Sequence, residues 1–144
     1  MLVALLALVG LFISLYLTLY KLGYIAELVC RMGSCERVQT SRWSVLFGVP
    51  VAAWGAGFYV TALVVAVAGT QPPLASSLRV TQLLVAMTGA GVLFSAYLTW
   101  LELFVIHAIC MYCVGSAIVV TLMFGVCAAE LAVLRHRADP IVRA

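Results

Sequence analysis

The sequence predicts an all-α integral membrane protein, a bundle of four transmembrane helices forming a single domain over residues 1–144. Its 144 residues are 66% hydrophobic and only 9% charged, with a mean hydropathy of +1.21, which excludes a soluble domain. Four stretches are also long enough to span a hydrocarbon core of about 30 Å, which needs about 20 apolar residues per helix. They run approximately over residues 1–20, 49–69, 80–101 and 106–134.

The first helix begins at Met1 with no basic segment before it and no Ala-x-Ala cleavage site after it. We therefore expect it to be retained rather than removed as a signal peptide. The second helix contains Gly55 and Gly57, and the third contains Gly89 and Gly91. Because small residues let helix backbones approach closely in lipid, these positions predict tight packing within the bundle.

The loop over residues 21–48 is the one long polar segment. Because each spanning helix reverses direction, this loop and the junction near Glu102–His107 are expected at the same end of the bundle. Basic residues are divided four against four between the two ends, so charge does not orient the protein. This end also carries two pairs of cysteines, described below. Cysteines that cycle as disulfides belong outside the cytosol, so we place this end on the extracytoplasmic side and both termini in the cytoplasm. The net charge of +3 is too small to indicate a nucleic-acid partner.

Two pairs of cysteines fall at this end of the bundle. Cys110 and Cys113 open the fourth helix, and Cys30 and Cys35 lie in the loop. The i, i+3 spacing puts both helix sulfurs on one side, and a helix N-terminus favours a thiolate through its dipole and free N–H groups. Counting inward from Arg135 puts Cys113 at the outer membrane boundary. There it can meet both a protein loop and a lipid-soluble acceptor, which suggests electron transfer.

The residues alone leave other interpretations open. Four thiolates could form a zinc site, although the spacing of Cys30 and Cys35 is looser than in zinc ribbons, and we expect no metal. A structural disulfide in the loop is also compatible with the sequence, but it leaves the Cys-x-x-Cys pair unexplained. Cys127 lies deep in the fourth helix and is expected to be a packing residue.

The segment Tyr97–Ile106, leading into Cys110-Met111-Tyr112-Cys113, resembles the vitamin K epoxide reductase family in its bacterial form. Upstream, Cys35-Glu36-Arg37-Val38 together with Cys30, Ser41 and Phe47–Pro50 is similar to the loop of that family and its entry into the second helix. The resemblance covers essentially the whole chain, in a standalone form without a fused thioredoxin-like domain. It implies a short surface half-helix between helices one and two, and Trp43–Phe47 is amphipathic enough to form one.

The resemblance implies a thiol–disulfide:quinone oxidoreductase that supports disulfide formation in secreted proteins, in a bacterial or archaeal cytoplasmic membrane. Cys110 and Cys113 match the active-site pair, with Cys113 nearest the quinone. Cys30 and Cys35 match the loop pair that shuttles electrons. Cys30 would exchange with a separate thioredoxin-fold thiol oxidase, and Cys35 would attack a disulfide at Cys110. The electron acceptor would be menaquinone or ubiquinone, a choice that the sequence does not make.

Quinone contacts are expected at Ser41, Ser44 and Phe47. Ser41 matches a loop hydroxyl near the quinone head, and it is equally suited to be a helix N-cap. Phe47 belongs to the segment that would cover the pocket. Vertebrate relatives hold the quinone oxygens with an Asn and a Tyr, which by spacing fall on Ser44 and Ala117. Because alanine has no donor, we expect quinone reduction rather than epoxide reduction.

Two further ionisable residues lie near the active end. His107 would sit one helical turn before Cys110, where a capping role is favoured over an effect on the cysteine. Glu102 is a candidate for quinone protonation, but water at the junction would solvate it, which favours a structural role. Three rival functions stay open: epoxide reduction in the vertebrate sense, the unrelated four-helix disulfide–quinone oxidase, and a non-enzymatic membrane subunit with structural disulfides. In the four-helix disulfide–quinone oxidase, the two kinds of cysteine pair occur in the reverse order along the chain.

Overall fold

A computed structural model describes residues 1–31, 33–72 and 77–142, excluding the side chains of residues 138–142. The helices within these ranges are α1 (Leu2–Lys21), α2 (Cys35–Thr40), α3 (Val51–Ala68), α4 (Leu78–Leu101) and α5 (Met111–Val142). A 3-10 turn (Arg42–Ser44) and a hairpin of strands β1 (Val45–Leu46) and β2 (Val49–Pro50) separate α2 from α3. A π-helical turn (Glu102–Ile106) continues α4.

Four helical segments in the described ranges are long and apolar enough to cross a membrane: Leu2–Lys21, Val51–Ala68, Leu78–Ile106 and Met111–Arg137. The predicted four-helix membrane bundle is therefore confirmed. Many large apolar side chains on these helices are exposed in the isolated chain. In a bilayer these side chains contact lipid, so the exposure needs no partner protein to explain it.

The centre of the bundle is held together by contacts of α1 with α3 and α5, and of α5 with α4. The predicted close approach of helices is confirmed at two glycines. A Cβ atom at Gly55 would lie 3.0 Å from Ser14 Oγ, and one at Gly91 would lie 2.8 Å from Val120 Cγ2. Gly57 has open space around it instead. The largest buried core of the bundle lies away from the cysteine end and comprises Val3, Ala7, Tyr59, Ala62, Ala66, Leu84, Val119, Met123 and Cys127.

The fourth spanning helix begins at Met111, five residues later than the sequence predicts. Glu102 and the apolar residues 103–106 continue α4 as a π-helical turn, which ends where His107 takes a left-handed conformation with φ of 52°. The Ala108 N–H closes this turn by donating to the Glu102 carbonyl oxygen at 3.0 Å. The sequence predicts a junction near Glu102–His107, but the apolar residues 103–106 between these two do not show that they continue α4 rather than open α5.

The short helix in the loop lies earlier than predicted. It spans Cys35–Thr40, whereas the expected helical segment over residues 43–47 is a 3-10 turn followed by strand β1. A short helix between the first two spanning helices is therefore confirmed, but its placement on residues 43–47 is wrong. Phe47 and Gly48 form the two-residue hairpin turn, with φ of 54° and 81°. Two-residue hairpin turns favour positive φ because their twist then matches that of the strands, and here this preference outweighs the helical periodicity.

Candidate active site

The loop and the junction before α5 meet through their backbones, as the topology predicts. Ser34 donates its N–H to the Ile109 carbonyl oxygen at 2.9 Å, and Gly33 pairs with Cys110 in an isolated antiparallel bridge. Gly33 has a φ of 89°, and a Cβ atom there would collide with the Ile109 carbonyl. Glycine thus permits both the backbone conformation and the close approach. The Tyr112 hydroxyl adds a tether by donating to the carbonyl oxygen of Val29 at 2.7 Å.

This contact brings the four predicted cysteines together. Cys30 and Cys35 form a disulfide with their Cα atoms 6.2 Å apart, and Cys110 and Cys113 are free thiols. Cys35 and Cys110 are completely buried and belong to one apolar cluster, against which Cys30 and Cys113 pack. Cys30 is only half-buried. The loop pair therefore has one sulfur near the surface and one in the same cluster as Cys110.

Cys110 immediately precedes α5 and occupies its N-cap position. Its carbonyl oxygen accepts the Val114 N–H at 3.0 Å. Its sulfur accepts a hydrogen bond from the Cys113 thiol and others from the backbone N–H groups of Tyr112 and Cys113. These hydrogen bonds lower the pKa of the Cys110 thiol, and the one from the Cys113 thiol contributes most. Burial and the nearby Glu102 carboxylate act in the opposite direction, but the net shift is downward. The helix N-terminus therefore stabilises a thiolate at Cys110.

Glu102 is buried beside both cysteines, with only 4% of its surface exposed. Its Oε2 atom accepts the Cys110 N–H at 3.1 Å, and its carboxylate is a second acceptor for the Cys113 thiol. The expectation that water solvates this residue is therefore wrong, because the π-helical turn directs it inward. His107 is exposed and ends the turn. It does not lie one helical turn before Cys110, because α5 begins later.

A cavity of about 390 Å³ opens among α1, α3, α4 and α5 beneath the loop. Cys113 and Glu102 line it, whereas Cys110 does not. Its volume lies within the range of small-molecule sites, about 300–1,000 Å³. Most of its wall is apolar and aromatic, including Leu17, Trp43, Trp54, Phe58, Met87 and Phe94. Such a wall suits an apolar ligand, and Cys113 and Glu102 are the reactive side chains on it.

A sequence model of the Vitamin K epoxide reductase family matches residues 1–128. The chain belongs to the vitamin K epoxide reductase family. The matched region contains all four cysteines of the cluster. Members of this family are oxidoreductases of disulfide and quinone chemistry in membranes, and this protein is a membrane enzyme of that kind.

The predicted quinone contacts of this family member divide into two groups. Ser41 and Ser44 line the cavity. The Ser41 hydroxyl donates to the Val38 carbonyl oxygen at 2.7 Å, so Ser41 precedes the 3-10 turn without capping it through its side chain. The Ser44 hydroxyl donates to the Ser41 carbonyl oxygen at 2.7 Å. Phe47 does not join them. It is 89% exposed at the tip of the hairpin and lies outside the cavity lining.

The position assigned to the vertebrate Tyr also differs from the prediction. Ala117 lines a separate, shallow surface pocket between α4 and α5 rather than the cavity at Cys113. Ser116 lines the cavity instead, where it accepts a hydrogen bond from the Tyr59 hydroxyl through its carbonyl oxygen at 3.0 Å. The argument against epoxide reduction from Ala117 therefore loses its basis.

Sequence reasoning missed two polar residues of the site. The Lys21 ammonium donates to Ser44 Oγ at 2.8 Å and to the Gln39 carbonyl oxygen at 2.5 Å, which ties the end of α1 to the loop. Gln39 itself is buried and lines the cavity. Its place four residues after Cys35 was the available signal, because i, i+4 residues share one face of a helix.

Proposed function

We propose that this protein oxidises a separate thioredoxin-fold thiol partner and passes the electrons through Cys30/Cys35 and then Cys110/Cys113 to a membrane quinone. One observation carries the proposal, namely the order of the four sulfurs from the surface to the cavity. Cys30 is half-buried, Cys35 and Cys110 share one buried cluster, and Cys113 lines the cavity. We further propose that the cysteine end faces the extracytoplasmic side, where disulfides persist.

Electrons enter at the Cys30–Cys35 disulfide. A partner thiolate attacks the Cys30 sulfur, the bond to Cys35 breaks, and Cys35 leaves as a thiolate. The partner's second thiolate then attacks the partner sulfur of this mixed disulfide and releases Cys30. The partner ends with one disulfide, and Cys30 and Cys35 hold its two electrons as thiols. The greater exposure of Cys30 makes it the better point of attack.

The internal step begins when Cys110 and Cys113 are joined by a disulfide. The Cys35 thiolate attacks Cys110, and Cys113 leaves as a thiolate. Cys30 then attacks Cys35, which restores the loop disulfide and releases Cys110 as a thiolate. The burial of Cys35 and Cys110 in one cluster supports this pairing. The bonding state of the structure, with a loop disulfide and two free helix thiols, corresponds to the end of this step.

The last step returns Cys110 and Cys113 to a disulfide, with loss of two electrons and two protons. A quinone bound in the cavity supplies the two-electron acceptor, and hydroquinone is the product. Cys113 is the thiol that faces this acceptor. After losing its proton, the Cys113 sulfur bonds to the quinone ring. The Cys110 thiolate, stabilised at the helix N-terminus, then attacks the Cys113 sulfur, the bond from that sulfur to the ring breaks, and its electron pair leaves with the ring, which takes up two protons as hydroquinone. Glu102 touches the Cys113 thiol and lines the same cavity, so it can hold the proton that leaves Cys113.

The proposal is tested by quinone reduction with the purified protein in lipid nanodiscs, driven by a reduced thioredoxin-fold donor. We expect turnover in the wild type and its loss in Cys30→Ala, Cys35→Ala, Cys110→Ala and Cys113→Ala. Cys127→Ala is the matched control, because Cys127 is buried in the distant core cluster. Partner-driven turnover that survives in either loop variant would refute the relay. Loss of turnover in a folded Cys127→Ala protein would refute the assignment of the pairs.

A further inference from the structure

We propose that the carboxamide of Gln39 is a hydrogen-bonding group that recognises a carbonyl oxygen of the quinone and so helps select the electron acceptor. This inference rests on the proposed function. It concerns a residue of helix α2, one turn after Cys35, whose side chain enters the cavity wall.

The observation behind it is a side-chain amide that lines the cavity and has no protein partner among the described residues. Gln39 is 6% exposed and lines the cavity, yet no hydrogen bond to its side chain is found among the described residues. Its backbone carbonyl is held by Lys21, which fixes the residue in place. Among the described residues no fully buried side-chain nitrogen or oxygen lacks a partner, so the unbonded amide of Gln39 is open to the cavity. A ligand in the cavity can therefore reach this amide and bond to it.

Several other polar groups on the cavity are already engaged. The hydroxyls of Ser41, Ser44 and Thr99 each donate to a backbone carbonyl oxygen. A quinone carbonyl is an acceptor and needs a free donor. Ser14 is also buried on the cavity without a hydrogen bond to its side chain among the described residues. However, it lies seven residues before Lys21 along α1, about 10 Å deeper at 1.5 Å per residue. The Trp43 indole N–H is also unbonded on the cavity within the described ranges, but Trp43 is 40% exposed, so Gln39 is the more enclosed donor at the cysteine end.

The carboxamide also suits both oxidation states of such a ligand. Its NH₂ group donates to a quinone carbonyl, and its oxygen accepts from a hydroquinone hydroxyl. The buried residues of α2 are Cys35, Val38 and Gln39. Cys35 packs in the cluster with Cys110, while Gln39 reaches the cavity. The same short helix therefore carries the electron donor and the group that positions the acceptor.

The test uses Gln39→Met in the full-length protein, since methionine keeps the length of the side chain but has no strong donor. Menadione binding is measured by quenching of the cavity residues Trp43 and Trp54. Binding of 2-methylnaphthalene, the same ring system without carbonyls, is measured by competition. Loss of one hydrogen bond is expected to weaken menadione binding about 3- to 10-fold and to leave 2-methylnaphthalene binding unchanged.

Thr40→Val is the matched control, because Thr40 is exposed on the same helix and its hydroxyl donates to the Glu36 carbonyl oxygen. It should bind menadione as the wild type does. Gln39→Leu removes both the donor and the acceptor of the amide, and it should also weaken menadione binding. Unchanged menadione affinity in both Gln39 variants, or equal loss for the two ligands, would overturn the inference. Failure of the wild type to reduce menadione would instead overturn the proposed function.

Discussion

The replacement of Glu102 by glutamine separates the two roles that its position allows. The Glu102 carboxylate accepts the buried Cys110 N–H at 3.1 Å and also touches the Cys113 thiol. A glutamine oxygen can keep the first contact, so we expect Glu102→Gln to change the free energy of unfolding by less than about 1 kcal/mol. Glu102→Leu leaves the Cys110 N–H unpaired and should cost about 1–3 kcal/mol. The comparison measures the structural role of the carboxylate.

The chemical role is measured by turnover. An amide cannot take the proton of the Cys113 thiol, and a positioned general base contributes about 10²- to 10⁴-fold to a rate. We therefore expect quinone reduction by Glu102→Gln to fall at least about 100-fold while the protein stays folded. The pKa of Cys110 should fall further, because the Glu102 charge raises it. A pH titration of ultraviolet thiolate absorbance reports this change.

These two readouts move in opposite directions for Glu102→Gln, with more Cys110 thiolate but slower turnover. A structural defect in the cysteine cluster would not produce that combination. Turnover within about threefold of the wild type, well short of what a general base contributes, would refute the role of Glu102 as proton acceptor. A rise in the Cys110 pKa would refute the electrostatic account of the site.

Two further predictions concern how the loop is held on the bundle. In denaturant unfolding, Gly33→Ala should lower the free energy of unfolding by at least about 1 kcal/mol more than Gly23→Ala does. Both glycines have positive φ, but of the two only Gly33 faces a backbone carbonyl. Equal losses in the two variants would show that the contact with Ile109 does not matter. Lys21→Met should slow quinone reduction and raise the KM for quinone. The substitution removes hydrogen bonds from a charged group, each worth about 1.5–3 kcal/mol, and so releases Ser44 from α1. An unchanged KM would contradict this.

The bundle and its cysteine end could be predicted from the sequence because both follow from the number of apolar spans. Each span reverses direction, so the loop cysteines and Cys110 had to share one end. The π-helical turn could not be predicted, because residues 103–106 are apolar like the helices on either side of them. As a result, the burial of Glu102 was missed. Composition reports that a segment is apolar but not how its helix is wound.

The errors in the cavity lining have a similar cause. From Cys113, the positions three and four residues later differ by about 100° around a helix, so a small rotation decides which one faces inward. The structure turns Ser116 inward and Ala117 away. The loop was harder to predict, because local polarity does not show that it folds back over the bundle. For this reason the sequence did not single out Gln39 and did not show that Phe47 lies at the exposed tip of the hairpin.

The most direct test of the account is a single turnover started from the quinone side. The fully reduced protein is mixed with one equivalent of quinone, without a partner, and the disulfides are identified by mass spectrometry over time. The relay predicts that the Cys110–Cys113 disulfide forms first and that the Cys30–Cys35 disulfide follows; in Cys35→Ala, oxidation should stop at the first pair. Formation of the Cys30–Cys35 disulfide by quinone in a Cys113→Ala protein would contradict the account.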